Sequence, residues 1–388
     1  MKRVGVLGGV CVGAACVAGA SDAPIAIRVD SAGVELVTNA APDRPLDVSF
    51  VREMEIGGDP SGPASFYQVY PAQVAATPDG GIAVLDRQGF QVTLFDSDGS
   101  PVVSFGREGD GPGEFRYPAS IATLSDGSVS VYDYQKRALQ SFTRDGAFVA
   151  QHGMTVPYNG IGMVGTPTGL LLLSQDVPRR DGDFSRRVLH LSATDTVQVG
   201  PTSPSRALSI EYTSCGVRLA QPPLFASELV WASNGRGTAI VASAAYSIAI
   251  FDGLQLVRVV RREIEPEAVT EQVLSRVLGD GERLEIAGVE CIVPPAEVIE
   301  QRGHADSVPL VEALAVSPTG HLWVKRRTPG SEEGGIDVFD PSGEYLGTTS
   351  RESPFPVTFL PDGKLVTIEA DSFDIERVVT YVASIGGE

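Results

Sequence analysis

Three observations predict an all-β fold, a six-bladed β-propeller whose last blade is completed by an N-terminal strand. One short turn recurs six times, a unit of strands repeats at an interval of 47 residues, and the composition is rich in glycine and proline. The 388 residues include 43 Gly and 27 Pro but only 15 Phe, 10 Tyr and 2 Trp, which favours many turns and short strands over long helices. A hydrophobic fraction of 43% is enough for a sizeable core and excludes wholesale disorder. Two or three domains is the usual expectation at this length, yet a closed β fold can use the whole chain as one. With 30 basic against 49 acidic residues the net charge is −19. Affinity for a phosphate backbone comes from Lys and Arg, so a nucleic acid is not an expected partner.

The repeat is read by laying Pro71-Ala72-Gln73-Val74-Ala75-Ala76-Thr77-Pro78-Asp79-Gly80 over Pro118-Ala119-Ser120-Ile121-Ala122-Thr123-Leu124-Ser125-Asp126-Gly127. Each continues as a strand ending in Asp, Ile82 to Asp86 and Val129 to Asp133. A third strand follows, Gln91 to Phe95 and Leu139 to Phe142, and then a turn, Ser97-Asp98-Gly99 and Arg144-Asp145-Gly146. Val102 to Phe105 and Phe148 to Gln151 close the units. Four alternating strands joined by Asp-Gly hairpins make one antiparallel blade.

The anchor turn recurs at Asp79-Gly80, Asp126-Gly127, Thr168-Gly169, Asn234-Gly235, Thr319-Gly320 and Asp362-Gly363, hence six blades. The intervals of 66 and 85 residues around Asn234 must hold insertions. The sixth unit stops at its third strand, Arg377 to Val382. The segment around Met54-Glu55-Ile56-Gly57-Gly58 precedes the first blade much as a fourth strand precedes the next unit, so it is expected to complete the sixth blade and close the ring.

The run Gly106-Arg107-Glu108-Gly109-Asp110-Gly111-Pro112-Gly113-Glu114-Phe115-Arg116-Tyr117-Pro118, with Asp126-Gly127 and Val131-Tyr132-Asp133, resembles the NHL repeat. It is also similar to exported six-bladed propeller proteins of bacteria. The resemblance is good over residues 66–152, fair over 310–385 and weak between. It implies a fold. For function it implies either a binding scaffold or, as the alternative, a metal-dependent lyase or lactonase.

Residues 1–20 read as an export signal: Lys2 and Arg3, an apolar run from Val4 to Val17, and Ala18-Gly19-Ala20 before Ser21. Cleavage after Ala20 is one processing route. A lipid anchor on Cys16, after Ala14-Ala15, is the other. The mature chain is then periplasmic or extracellular. It comprises a lead segment, 21–46, and the propeller, 47–388, and no later stretch is long and apolar enough to span a bilayer. It keeps Cys215 and Cys291, an isolated pair expected to be bridged in an oxidising compartment. Two separate buried thiols are the alternative.

Strand alternation sends the first-to-second and third-to-fourth turns to one face. The second-to-third loops and the blade-to-blade links go to the other. All long segments, 176–186, 202–226, 265–308 and 328–334, fall on the second face, which is the expected working face. The 265–308 insertion is expected to hold a helix beginning at Pro266 between Glu265 and Glu267 and stopping at Gly279. Its apolar stripe is Val269, Val273, Leu274, Val277 and Leu278.

The four histidines, His152, His190, His304 and His321, are not at metal spacing, and no Ser-His-Asp or Cys-His pattern stands out. The first strands centre on apolar pairs such as Val74-Ala75 and Leu314-Ala315, which cannot hold a hard cation, so no axial metal and no cofactor are expected. The upper ends of the second strands are polar. Asp86 and Asp133 are expected to accept hydrogen bonds from neighbouring loop amides. Arg87 also stands there, and Lys325, Arg326, Arg327, Glu369, Gln175, Asp176 and Tyr134 form the candidate ligand-binding set. Three consecutive cations in an acidic chain suit an anionic group on a ligand or partner protein, or they are neutralised internally, with Glu369 the expected partner.

Overall fold

The structure is a computed structural model that describes residues 26–40, 42–57, 65–66, 69–155, 158–175, 182–286, 288–327, 334–370 and 376–386. Six blades, each built on four antiparallel strands, succeed one another along the chain, the third sheet extended to five strands and the fourth to six. The first blade is Val74–Ala76, Ile82–Asp86, Gln91–Phe95 and Pro101–Phe105, and the second Pro118–Thr123, Val129–Asp133, Ala138–Phe142 and Phe148–Gly153. The inner strands of the remaining blades are Tyr158–Thr166, Val230–Ser233, Val311–Val316 and Thr358–Phe359.

The Asp-Gly hairpins follow from local chemistry. At the second anchor, Asp126 Oδ1 accepts from the Ser128 amide at 2.9 Å while the Gly127 amide donates to Leu124 O. Gly127 sits at φ +82°, a conformation only glycine adopts without strain.

Ring closure is as expected. Val48–Ile56 pairs antiparallel with Glu376–Ile385, from Ile385↔Val48 to Val378↔Ile56 with one register shift between Thr380 and Tyr381, as the outer strand of the sixth blade. Each blade buries its two faces against its neighbours, giving one apolar cluster per junction. That between the fourth and fifth blades holds Tyr246, Ile248, Val260, Phe339 and Tyr345. That between the sixth and first joins Ile56, Val378 and Val366 to Val74, Ile82 and Phe95, so the closing strand contributes to the core as well as to the ladder.

The lead segment is structured in a way the sequence did not signal. Ile27–Ser31 and Val34–Asn39 form a hairpin, and Val34–Asn39 lies parallel to Gln255–Arg262, extending the fourth blade to six strands. The chain then crosses the fifth blade, where the Leu46 amide donates to Thr348 O and the Thr348 amide to Arg44 O, both at 2.8 Å. It enters the sixth blade at Val48. One stretch of chain thus straps three successive blades.

The insertions build a small cap. The fourth strand of the third blade, Thr196–Tyr212, outruns its sheet and turns back as Val217–Gln221. The 265–308 insertion holds two helices, Glu271–Leu278 and Pro295–Arg302, around the hairpin Glu282–Ile286/Val289–Val293. The first helix starts later than Pro266. Residues 267–269 stay extended, tied by Val269 N to Asp306 O and Val308 N to Glu267 O, and Thr270 caps the helix through Val273 N. Val273, Leu274 and Leu278 are buried as the stripe requires, but Val277 is exposed. The cap has its own core, Ile210, Tyr212, Leu274, Leu278, Val293 and Val298. Cys215 and Cys291 form a disulfide with Cα atoms 6.0 Å apart, joining the two insertions.

Candidate functional site

The observed strand order puts the cap on the rim opposite the Asp-Gly turns. The two large insertions are welded there: Leu224 N donates to Gly303 O, Ala305 N to Leu224 O, and Glu297 accepts from Thr213 Oγ1 at 2.9 Å. Inside the weld, Tyr212 OH reaches Glu282 at 3.2 Å, and Arg302 donates to the same carboxylate at 3.1 Å. Burial, reinforced by the charge of Glu282, pushes the Tyr212 hydroxyl up to about 12.

The cation cluster is divided by the fold. Arg326 turns into a buried network with Arg262, Asp337 and Asp43. Its guanidinium lies 2.6 Å from Asp43 and 3.5 Å from Asp337, whose side chain is fully buried. Arg262 reaches the same two carboxylates at 2.9 and 3.1 Å and stacks on the Tyr345 ring at 3.8 Å. Tyr246 OH and Thr348 Oγ1 donate the remaining bonds to Asp337, at 2.8 and 2.6 Å. Burial opposes ionisation of Asp43, but its bond to Arg326 and the two guanidinium charges outweigh that and hold its carboxyl below the usual range. The network is also the lock of the lead segment, since Asp43 belongs to it. Nearby, Asn39 accepts from Tyr345 N and donates to Arg261 O and Gly343 O.

Lys325 instead faces Glu312 at 3.5 Å, a carboxylate it shares with Arg351 at 2.8 Å. Arg327 makes no ion pair among the described residues, and its Nε is buried without an acceptor there. Glu369 is not the neutralising partner of this cluster. It binds Arg52 at 2.7 Å and accepts from Tyr381 OH at 2.7 Å, because the closing strand brings Arg52 beside it. Gln175 is buried and accepts from Arg186 Nε at 3.0 Å, and Arg186 continues to Glu228 at 2.7 Å, a clamp between the third and fourth blades. Asp176 lies outside the described residues, as do residues 1–25 with the export signal and Cys16. Asp86 and Asp133 accept loop amides as expected, Asp86 from Gln88 and Gly89 and Asp133 from Arg116, Tyr117 and Lys136.

Tyr134 stands in an arrangement that sequence reasoning missed. Arg87 lies between the rings of Tyr70 and Tyr117, 5.1 and 5.0 Å from their centroids, and donates to Tyr117 OH at 3.0 Å. Tyr134 meets Tyr117 edge-on at 5.8 Å. All three rings are exposed. A signal was present: Tyr70 and Tyr117 each precede the repeat's proline, and Arg87 and Tyr134 each follow the Asp that ends a second strand. The four are equivalent positions of consecutive units.

A second feature that the sequence did not reveal is a cavity of about 590 Å³ on the turn face, at the seam of the sixth and first blades. Glu53, Asp79, Asp98, Asp362 and Lys364 line it. Lys364 bridges Glu53 and Asp362 at 2.8 and 3.1 Å, and these bonds raise its ammonium above the usual range. Among the described residues, no three His, Cys, Asp or Glu side chains converge to hold a metal ion, and no helix is long and apolar enough to cross a membrane.

No family model and no curated protein matches the chain. Solved structures do. A member of the DUF4221 family from Bacteroides vulgatus is similar at a TM-score of 0.53 with 10% identity, over 87% of this chain and 99% of its own. A Bacteroides fragilis protein described only as exported gives a TM-score of 0.50 with 11% identity, over 90% of this chain and 99% of its own. Both likenesses establish the fold alone. A streptogramin B lyase matches 88% of this chain at a TM-score of 0.35 and 12% identity, too distant to bear on activity.

Proposed function

We propose that this chain is an exported, non-catalytic binding scaffold, an NHL-like propeller that recognises a polar or anionic ligand or partner protein on its cap-bearing rim. One observation carries the reading. The two large insertions sit on one rim and are fixed there by a disulfide and a private core, whereas the described turns of the other rim are short. A rigid ring presenting loops on one side is the usual way for such a scaffold to hold a binding surface. The export signal at residues 1–20 and the disulfide both suit a periplasmic or extracellular site.

Within the candidate set, the described side chains left to meet a ligand are Lys325, Arg327 and Tyr134. Arg326, Glu369 and Gln175 are engaged in the ring itself and act as supports. The test is the double variant Lys325→Ala with Arg327→Ala, screened against anionic ligands and export-compartment proteins. Its binding is expected to weaken while its melting temperature stays close to that of the parent. A metal-dependent enzyme would instead be stabilised by calcium or zinc through mass action. A rise in melting temperature with either ion overturns the scaffold reading.

A further inference from the structure

We infer that the rim between the first and second blades is a docking surface for an acidic peptide segment of a partner protein, with Arg87 as its anchor. The inference rests on the reading of the cap-bearing rim as the working face and names a locus and a partner chemistry for it.

The argument begins with charge. In a chain of net −19, Arg52, Arg116, Arg186, Arg262, Arg326, Arg351 and Arg377 each sit on a carboxylate. Among the described residues no carboxylate lies in ion-pair reach of Arg87. Its side-chain partners are the Tyr117 hydroxyl and the two ring faces. Set over the two ring faces, the guanidinium has N–H groups beyond the one bonded to Tyr117, and a planar fork of such groups suits a carboxylate.

The surroundings select the class of partner. Tyr70, Tyr117 and Tyr134 present large exposed rings. Their backbones are fixed by hydrogen bonds from Tyr70 N to Gln73 Oε1, Tyr117 N to Asp133 and Tyr134 N to Tyr117 O, so little ordering is left to occur on binding. Tyr and Arg are the side chains that most often anchor protein interfaces. A sugar would need a set of free acceptors for its hydroxyls. Here the nearby acceptors, Gln73, Asp86 and Asp133, are buried and spent on backbone amides. The one nearby lysine, Lys136, donates to Gly111 O and Glu114 O. Rings around the open Arg87 guanidinium, with those three acceptors spent, fit a carboxylate flanked by apolar side chains.

The test is fluorescence anisotropy on the full chain with a labelled library of dodecapeptides, half Glu or Asp and half Leu, Pro or Tyr. Gln/Asn counterparts and an oligogalacturonate serve as comparisons. Acidic peptides are expected to bind, with the amide counterparts at least about tenfold weaker. Arg87→Ala and Tyr134→Ala are each expected to weaken binding by about tenfold or more, the scale of an interface anchor. Arg87→Lys should restore only part of the loss, and melting curves show that each variant keeps its fold. Parental affinity in Arg87→Ala overturns the proposal, as does binding of the oligogalacturonate alone or of no peptide in the library. If Arg87→Ala is silent while Lys325→Ala with Arg327→Ala weakens binding, the working rim stands and this locus falls. Loss of binding only on Asp98→Asn, on the turn face, would take down both.

Discussion

Replacing Asp337 with Asn tests whether the buried ion network joins the lead segment to the ring. The change is nearly isosteric, so it opens no cavity, and what it removes is charge. Asp337 is wholly buried and takes bonds from Tyr246, Arg262 and Thr348 with Arg326 beside it. After the change, two guanidiniums, the Arg262 side chain only 1% exposed, must share Asp43, which is about half exposed at 49%. Breaking one side of a buried ion pair costs about 3–5 kcal/mol, because the remaining charge stays desolvated and uncompensated. The Asn amide N–H groups also face donors, which places the expected loss in that range. Asp43→Asn, by contrast, removes a partly solvated partner and should cost on the order of 1 kcal/mol. Urea denaturation followed by fluorescence measures both, with an unchanged slope showing that the unfolded state is not altered. A loss below about 1 kcal/mol for Asp337→Asn, or one no larger than for Asp43→Asn, would refute the reasoning.

Three further outcomes follow. Reducing the Cys215–Cys291 bridge, which closes a loop with a sequence separation of 76, should cost up to about 4.5 kcal/mol of chain entropy. The loss should fall on the cap, so limited proteolysis is expected to nick residues 202–226 or 265–308 while the ring stays intact. Nicking of the first or second blade instead would show that cap and ring unfold together. Acid should free the lead segment. The carboxyls of Glu35, through its bond to Arg28 and then Arg258, and of Asp43 are held low in the folded chain. Their stabilisation is therefore complete above the ordinary carboxylate range and is lost as pH falls through the lowered folded values. Hydrogen exchange at residues 27–46 should accelerate there before the blades do, and uniform acceleration contradicts this. Last, Arg326→Ala should destabilise strongly where Lys325→Ala stays within about 0.5 kcal/mol, a contrast that thermal melts read directly.

The ring was legible because its signal is local and repeated. Asp-Gly anchors and alternating strands recur within each unit, and the missing fourth strand of the sixth blade pointed to Met54 and Ile56 as the closing strand. The hairpin 27–39 was not legible. Its parallel pairing with Gln255–Arg262 is a contact across more than two hundred residues that no turn or spacing announces. The helix start at Pro266 was misread because a proline compatible with a first turn also suits the extended ladder that 267–269 makes with 306–308. The cation run was visible as composition, but its division was not, since Arg326 and Lys325 alternate across a strand and meet different neighbours. The Tyr70, Arg87, Tyr117 and Tyr134 stack needed only the repeat alignment to be extended by one residue beyond each proline and each Asp.

The strap across three blades bears on how the ring can be assembled at all. The pairing of Ile56 with Val378 joins residues 322 apart in the chain. The lead hairpin can settle on the fourth blade, and Arg44 and Leu46 on the fifth, before the sixth exists. With those contacts made, the open stretch shrinks to the residues between Leu46 and Ile56 and those between Thr348 and Val378, roughly forty in place of more than three hundred. On logarithmic loop-closure scaling that spares the final step roughly 2 kcal/mol of entropy. It also leaves the waiting strand edge of the sixth blade next to its partner, so the edge is sheltered from pairing with other chains while the fold completes.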